Sequence, residues 1–87
     1  MAHDLEAATI LRRKQVEAAG CGTRSTIYLR IAQGLFTKPV KLGARAVGWP
    51  ACEVAAINAA RIAGQSDYDI RKLVQRLQAA RSEGATQ

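Results

Sequence analysis

The sequence predicts a mainly α domain carrying one small β-hairpin, and three observations lead there. Alanine supplies 17 of the 87 residues, and it has the best intrinsic helix propensity. After Pro39 the apolar pattern switches from helical spacing to alternation, the period of a strand. Near the end of the chain Ile70, Leu73, Val74 and Leu77 recur at i, i+3, i+4 and i+7, the stripe of an amphipathic helix.

Taken in order, residues 1–8 are small and polar and read as a disordered tail. Ile10-Leu11 is a short apolar entry, and Lys14 to Ala19 reads as a short helix. Gly20-Cys21-Gly22 breaks it, because two glycines in three residues allow a tight redirection. Thr23 is a suitable N-cap for a second helix running to about Gln33, with Ile27 and Ile31 on its buried edge. Gly34 stands where a left-handed residue ends a helix, and Leu35 is the apolar residue that often follows. Val40-Lys41-Leu42 and Ala46-Val47-Gly48-Trp49 flank Gly43-Ala44-Arg45 as a hairpin. Val40, Leu42, Val47 and Trp49 are expected to face the helices, with Lys41 and Arg45 outward. Pro50 fits the first turn of the next helix, along which Val54, Ile57 and Ile62 follow, and Gly64 ends it. Ser66 caps the last helix, and Asp67 and Asp69 sit near the positive end of its dipole.

This order is a helix-turn-helix, then a basic hairpin, then a further helix. It is the layout of a winged helix-turn-helix with an amphipathic helix appended. The expected organisation is a tail at 1–8, the winged domain at 9–64, the C-terminal helix at 65–82 and a tail at 83–87. The C-terminal stripe has two possible destinations. It packs back on the preceding helix as a helical hairpin, or it pairs with a second chain as a homodimer.

Charge narrows the function. The net is +6, from 13 Lys and Arg against 7 Asp and Glu. Residues 12–45 hold eight basic residues against Glu17 alone. So focused an excess is the footprint of a surface that binds a polyanion. Four aromatics in all argue against the base-stacking platforms of single-strand and RNA binders; the alternatives are a solvated basic face with no partner and, from the winged helix-turn-helix layout, double-stranded DNA. No stretch free of charged residues exceeds seven, so no membrane span is expected. No apolar leader is visible at the N-terminus. Cys21, Cys52 and His3 make neither a disulfide framework nor a metal cluster. There is no nucleophile with a His base and no phosphate-cradling glycine motif. The expectation is a reduced, cytoplasmic protein, not an enzyme, with no cofactor, metal or small-molecule ligand.

Several runs also match a known pattern. Leu11-Arg12-Arg13-Lys14-Gln15-Val16, Thr23-Arg24-Ser25-Thr26-Ile27-Tyr28, Gly34-Leu35-Phe36 and Lys38-Pro39-Val40-Lys41-Leu42-Gly43 are followed by Ala46-Val47-Gly48-Trp49. Together, over roughly residues 10–63, they resemble the AlpA family, small regulators of prophages and integrative elements related to excisionases and MerR-like winged helices. The resemblance implies DNA binding, transcriptional regulation and often control of excision. The chain departs from the family's pattern at Gly22, where an apolar residue is usual, and at Leu29-Arg30, where a basic residue usually comes first. Three functions stay open: a sequence-specific transcriptional regulator, an excisionase-type directionality factor, or a protein-interaction adaptor that keeps the shape.

The candidate DNA contacts follow from the layout. Thr23, Arg24, Ser25 and Thr26 form the N-terminal end of the second helix, the part of a recognition helix that reaches base edges. Arg24 can read guanine, and the hydroxyls can serve either base or simply cap the helix. Tyr28 offers a hydroxyl to phosphate or sits half-buried in the core. Leu29 touches a thymine methyl or is an ordinary exposed leucine. Arg30, Lys38, Lys41 and Arg45 would meet the backbone or the minor groove. Arg12, Arg13, Lys14 and Gln15 open the first helix, whose amides can also bind phosphate. Trp49 is expected to anchor the core.

Overall fold

The computed structural model describes residues 9–85 of the chain. Its elements are strand β1 (Ile10–Leu11), helix α1 (Arg13–Val16), a π-helical turn (Glu17–Cys21), helix α2 (Arg24–Ala32), strands β2 (Val40–Lys41) and β3 (Val47–Pro50), and helices α3 (Ala51–Ile62) and α4 (Asp67–Ala85). The described chain is thus mostly helical with one small antiparallel sheet. The 1–8 tail lies outside the described residues. Helix α4 continues to Ala85, three residues beyond the expected end of the C-terminal helix.

The turn before α2 and both helix ends after it form as the sequence predicts. Gly22 has φ 98° and leads into Thr23, whose Oγ1 accepts the Thr26 amide at 3.4 Å. A Cβ at Gly22 would lie 2.8 Å from Thr26 Cγ2. The positive φ and the close approach together favour glycine at this position. Helix α2 closes with Leu35 N donating to Arg30 O at 2.8 Å and Gly34 N to Ile31 O at 3.1 Å. Helix α3 repeats the pattern, from Gln65 N to Ala60 O and from Gly64 N to Arg61 O, both at 3.0 Å. These are Schellman closures, which satisfy carbonyls the helix leaves open.

The hairpin pairs Val40 with Gly48 and Lys41 with Val47. A third strand joins it that the sequence reading treats only as an apolar entry: Ile10 pairs with Pro50 and Leu11 with Trp49, giving the order β1-β3-β2. Gly48 makes this possible. A Cβ there would meet Ile10 Cγ2 at 2.4 Å and the Leu11 carbonyl at 2.9 Å. Pro50 ends β3 and serves as the N-cap of α3, one position ahead of the expected first turn.

One core unites the elements: Val16, Ile27, Leu35, Phe36, Trp49, Val54, Ile57, Ile70 and Val74 are all buried in it. Trp49 is fully buried, and its Nε1 donates to the Thr37 carbonyl at 2.9 Å. Two expected core residues stand outside. Leu42 is 45% exposed, because pairing Val40 with Gly48 puts Val40 and Leu42 on the Gly48 face of the hairpin, opposite Val47 and Trp49. Ile62 is 88% exposed; five residues after Ile57, it lies about 140° around the helix from the buried face.

Helix α4 packs on its own chain. Ile70 and Val74 are buried in the common core, with Leu73 and Leu77 at its margin. Arg81 adds a bidentate ion pair to the buried Glu53 of α3, from Nε to Oε2 at 2.7 Å and from Nη2 to Oε1 at 2.5 Å. Of the two destinations open to the stripe, the helical hairpin is the one formed.

Candidate nucleic-acid interface

The turn between α1 and α2 and the hairpin bring distant basic residues to one place. A groove of about 490 Å³ is lined by Arg12, Arg13, Lys14, Arg24, Tyr28, Arg45 and Val47. Five of the seven are cations and none is a carboxylate. Arg12, Arg13 and Lys14 come from the start of α1, Arg24 from the first turn of α2, and Arg45 from the hairpin loop. Arg12 ties the groove's two walls together, its Nε donating to the Val47 carbonyl of β3 at 3.1 Å. Gln15 accepts the Arg12 amide at 2.8 Å, which starts α1. Arg13 is paired with Glu17 one turn on.

Beside this groove, a recess of about 400 Å³ is lined by Arg24, Ser25 and Tyr28. The Arg24 guanidinium lies 6.0 Å from the centre of the Tyr28 ring, within cation–π range. Tyr28 meets Trp49 edge to face, with ring centres 6.2 Å apart. The tyrosine is therefore neither core nor free surface: 40% of it is exposed, and it rests on the buried tryptophan. Ser25 and Leu29, one turn apart, form the exposed crest of α2. Thr23 and Thr26 share a hydroxyl contact of 3.2 Å, and with the Thr26 amide bond their oxygens are engaged in capping.

The remaining candidates lie elsewhere. Lys41 is exposed on β2, and Lys38 is exposed before it, with its backbone held by α4. Arg30 is half-buried on the opposite flank of α2 and donates from Nη1 to the Cys21 carbonyl at 3.3 Å. Two further arginines that the sequence reading did not single out hold the loop after α2. Arg61 reaches the Leu35 carbonyl at 3.5 Å, and Arg71 reaches the Gln33 carbonyl at 2.8 Å. Burial, and then the neighbouring Arg30 charge, lowers the Arg61 guanidinium from its ordinary range. No linear spacing announces these partners, since each bond spans more than 25 residues.

Chemically, the arrangement is a cationic groove beside an exposed helix crest. Among the described residues no group of three His, Cys, Asp or Glu is placed to hold a metal. No described helix is long and apolar enough to cross a membrane. A family model, that of the prophage CP4-57 regulatory protein (AlpA), matches residues 9–60. The chain belongs to the AlpA family. Neither a curated protein nor a solved structure matches it. The AlpA match makes the chain a regulator and not an enzyme, and DNA binding is what the family implies. It runs from β1 through most of α3, so it includes every residue of the cationic groove and stops short of α4.

Proposed function

We propose that this AlpA-family protein is a sequence-specific duplex-DNA-binding transcriptional regulator of a prophage or integrative element, acting on cytoplasmic DNA. In this reading α2 enters the major groove with Arg24, Ser25 and Leu29 toward the base edges. The cations of α1 and the hairpin follow the adjacent phosphate backbone.

The observation that carries the reading is the convergence of Arg12, Arg13, Lys14, Arg24 and Arg45 on one groove beside the crest of α2. A helix fits the major groove of B-DNA, and phosphate contacts on its flank set its register. Duplex DNA supplies both a helix-wide groove and the anions beside it. A protein-interaction adaptor has no need for five converging cations.

Footprinting on the DNA upstream of the protein's own operon tests this. The expected result is a protected promoter site. Protection of repeated sites beside an attachment core would instead make the protein an excisionase. The absence of any preferred site on either DNA would overturn sequence-specific binding.

A further inference from the structure

The C-terminal helix lies outside the matched residues 9–60, yet it grips the arm that leads into the hairpin. Lys38 immediately precedes Pro39 and β2. Its amide donates to Gln78 Oε1 at 2.8 Å, and its carbonyl accepts from Arg81 Nη2 at 2.7 Å. Both backbone polar groups of one residue are thus held by one helix. The preceding Thr37 is fully buried, and its carbonyl takes the Trp49 Nε1 bond. The arm is fixed at two successive residues, by β3 from within and by α4 from without.

Arg81 is itself oriented. Its two bonds to Glu53 form a fork on a carboxylate that is 3% exposed, and a bidentate guanidinium–carboxylate pair has one geometry. A buried carboxylate needs a cationic partner, and the partner here lies 28 residues away. The segment that carries the groove therefore contains a buried charge whose counter-charge stands on α4.

We propose that Gln78 and Arg81 are positioning residues for DNA binding: they set the hairpin, and with it Lys41 and Arg45, against the phosphate backbone. A short two-stranded hairpin is marginal alone, so its aim depends on what holds its base. Neither residue touches DNA in this scheme. The inference rests on the reading of the hairpin as a backbone contact.

The test uses the full chain and a fluorescein-labelled mixed-sequence duplex, titrated by anisotropy at several salt concentrations. Four proteins are compared with wild type: Arg45→Ala, Gln78→Leu, the pair Glu53→Leu with Arg81→Met, and Gln78→Leu combined with Arg45→Ala. The paired substitution removes the Lys38 carbonyl bond without stranding a buried charge, and it keeps the net charge. Gln78→Leu also keeps the charge, and a thermal melt confirms that each variant is folded at the assay temperature.

Arg45→Ala is expected to weaken binding and to reduce the salt slope by about 1. Gln78→Leu and the paired substitution are each expected to reduce the slope by about 1 to 2, since Lys41 and Arg45 both lose their aim, although they remove no net charge. The combined variant should bind no more weakly than Gln78→Leu alone, because an unaimed hairpin has no contact left to lose. If Arg45→Ala changes neither affinity nor slope, the hairpin reading itself fails. If Arg45→Ala acts but the α4 variants leave the slope unchanged, or if Arg45→Ala weakens binding just as much in the Gln78→Leu background, the positioning role is overturned and α4 only stabilises the fold.

Discussion

Arg24 carries the most specific expectation at the scale of single residues. Its guanidinium sits over Tyr28, which leans on the buried Trp49, so the side chain is steered before DNA arrives. Arg24→Ala should cost about 1–3 kcal/mol on a specific site and much less on random DNA, measured by competition binding. Equal losses on both would mean that a different residue reads the bases. Cys21 shows how burial acts on a titrating group. Desolvation pushes its thiol above the ordinary range, so the unfolded chain releases that proton first as pH rises. Folding stability is then lost from about pH 8.5 upward, through the folded-state pKa. Urea titrations across that range should show this loss in wild type and a flatter profile in Cys21→Ala. The residue types at both positions are visible in the sequence. What each does is not, because a cysteine's burial and an arginine's platform depend on neighbours up to 37 residues away.

Among the elements, the caps and turns are the most legible. Thr23, Gly34, Gly64 and Ser66 act where local chemistry puts them, since each bond they make lies within a turn of its own helix. Strand β1 is illegible for the opposite reason. Two residues carry no period, and Ile10-Leu11 becomes a strand only because β3 offers an edge and Gly48 leaves room. Gly48→Ala should therefore push β1 off β3, at a cost of about 1–3 kcal/mol in chemical denaturation. A neutral result would mean that β1 shifts without penalty. Helix α4 is legible as a helix, but its stripe fits two destinations, and only the short connection favours packing within the chain. Ile70 is 1% exposed in the shared core, so Ile70→Ala should lower the stability of the whole domain by about 2–5 kcal/mol in one cooperative transition. A separate early transition confined to α4 would show instead that the helix docks loosely.

For the molecule as a whole, the decisive quantity is the distribution of charge. Five cations line the groove, and Lys41 stands exposed on the hairpin, paired across it with Val47. Arg13 is partly neutralised by Glu17, and Arg12 spends one donor on β3. If about four to six phosphates are neutralised, log K should fall with log salt at a slope of about −4 to −6. A slope near zero in an anisotropy titration would remove duplex DNA as the partner. Arg30, Arg61 and Arg71 are not counted, since they do not line the groove and instead reach backbone carbonyls around α2.

Composition, period and capping residues by themselves determined that this chain is mainly helical, basic between residues 12 and 45, and arranged as helix, turn, helix, hairpin and two further helices. Those properties are local: a helix needs only its own next turns, and a glycine stop needs only its own φ. Tertiary structure alone decided that positions 12, 13, 14, 24 and 45 line one groove while Arg30 faces away from it. It also decided that Leu42 and Ile62 are left outside the core, and that Glu53 and the arm at Lys38 are completed by α4. These outcomes depend on contacts between residues far apart in sequence. Their energies come from burial and from long-range hydrogen bonds, and no window of neighbouring residues contains both partners.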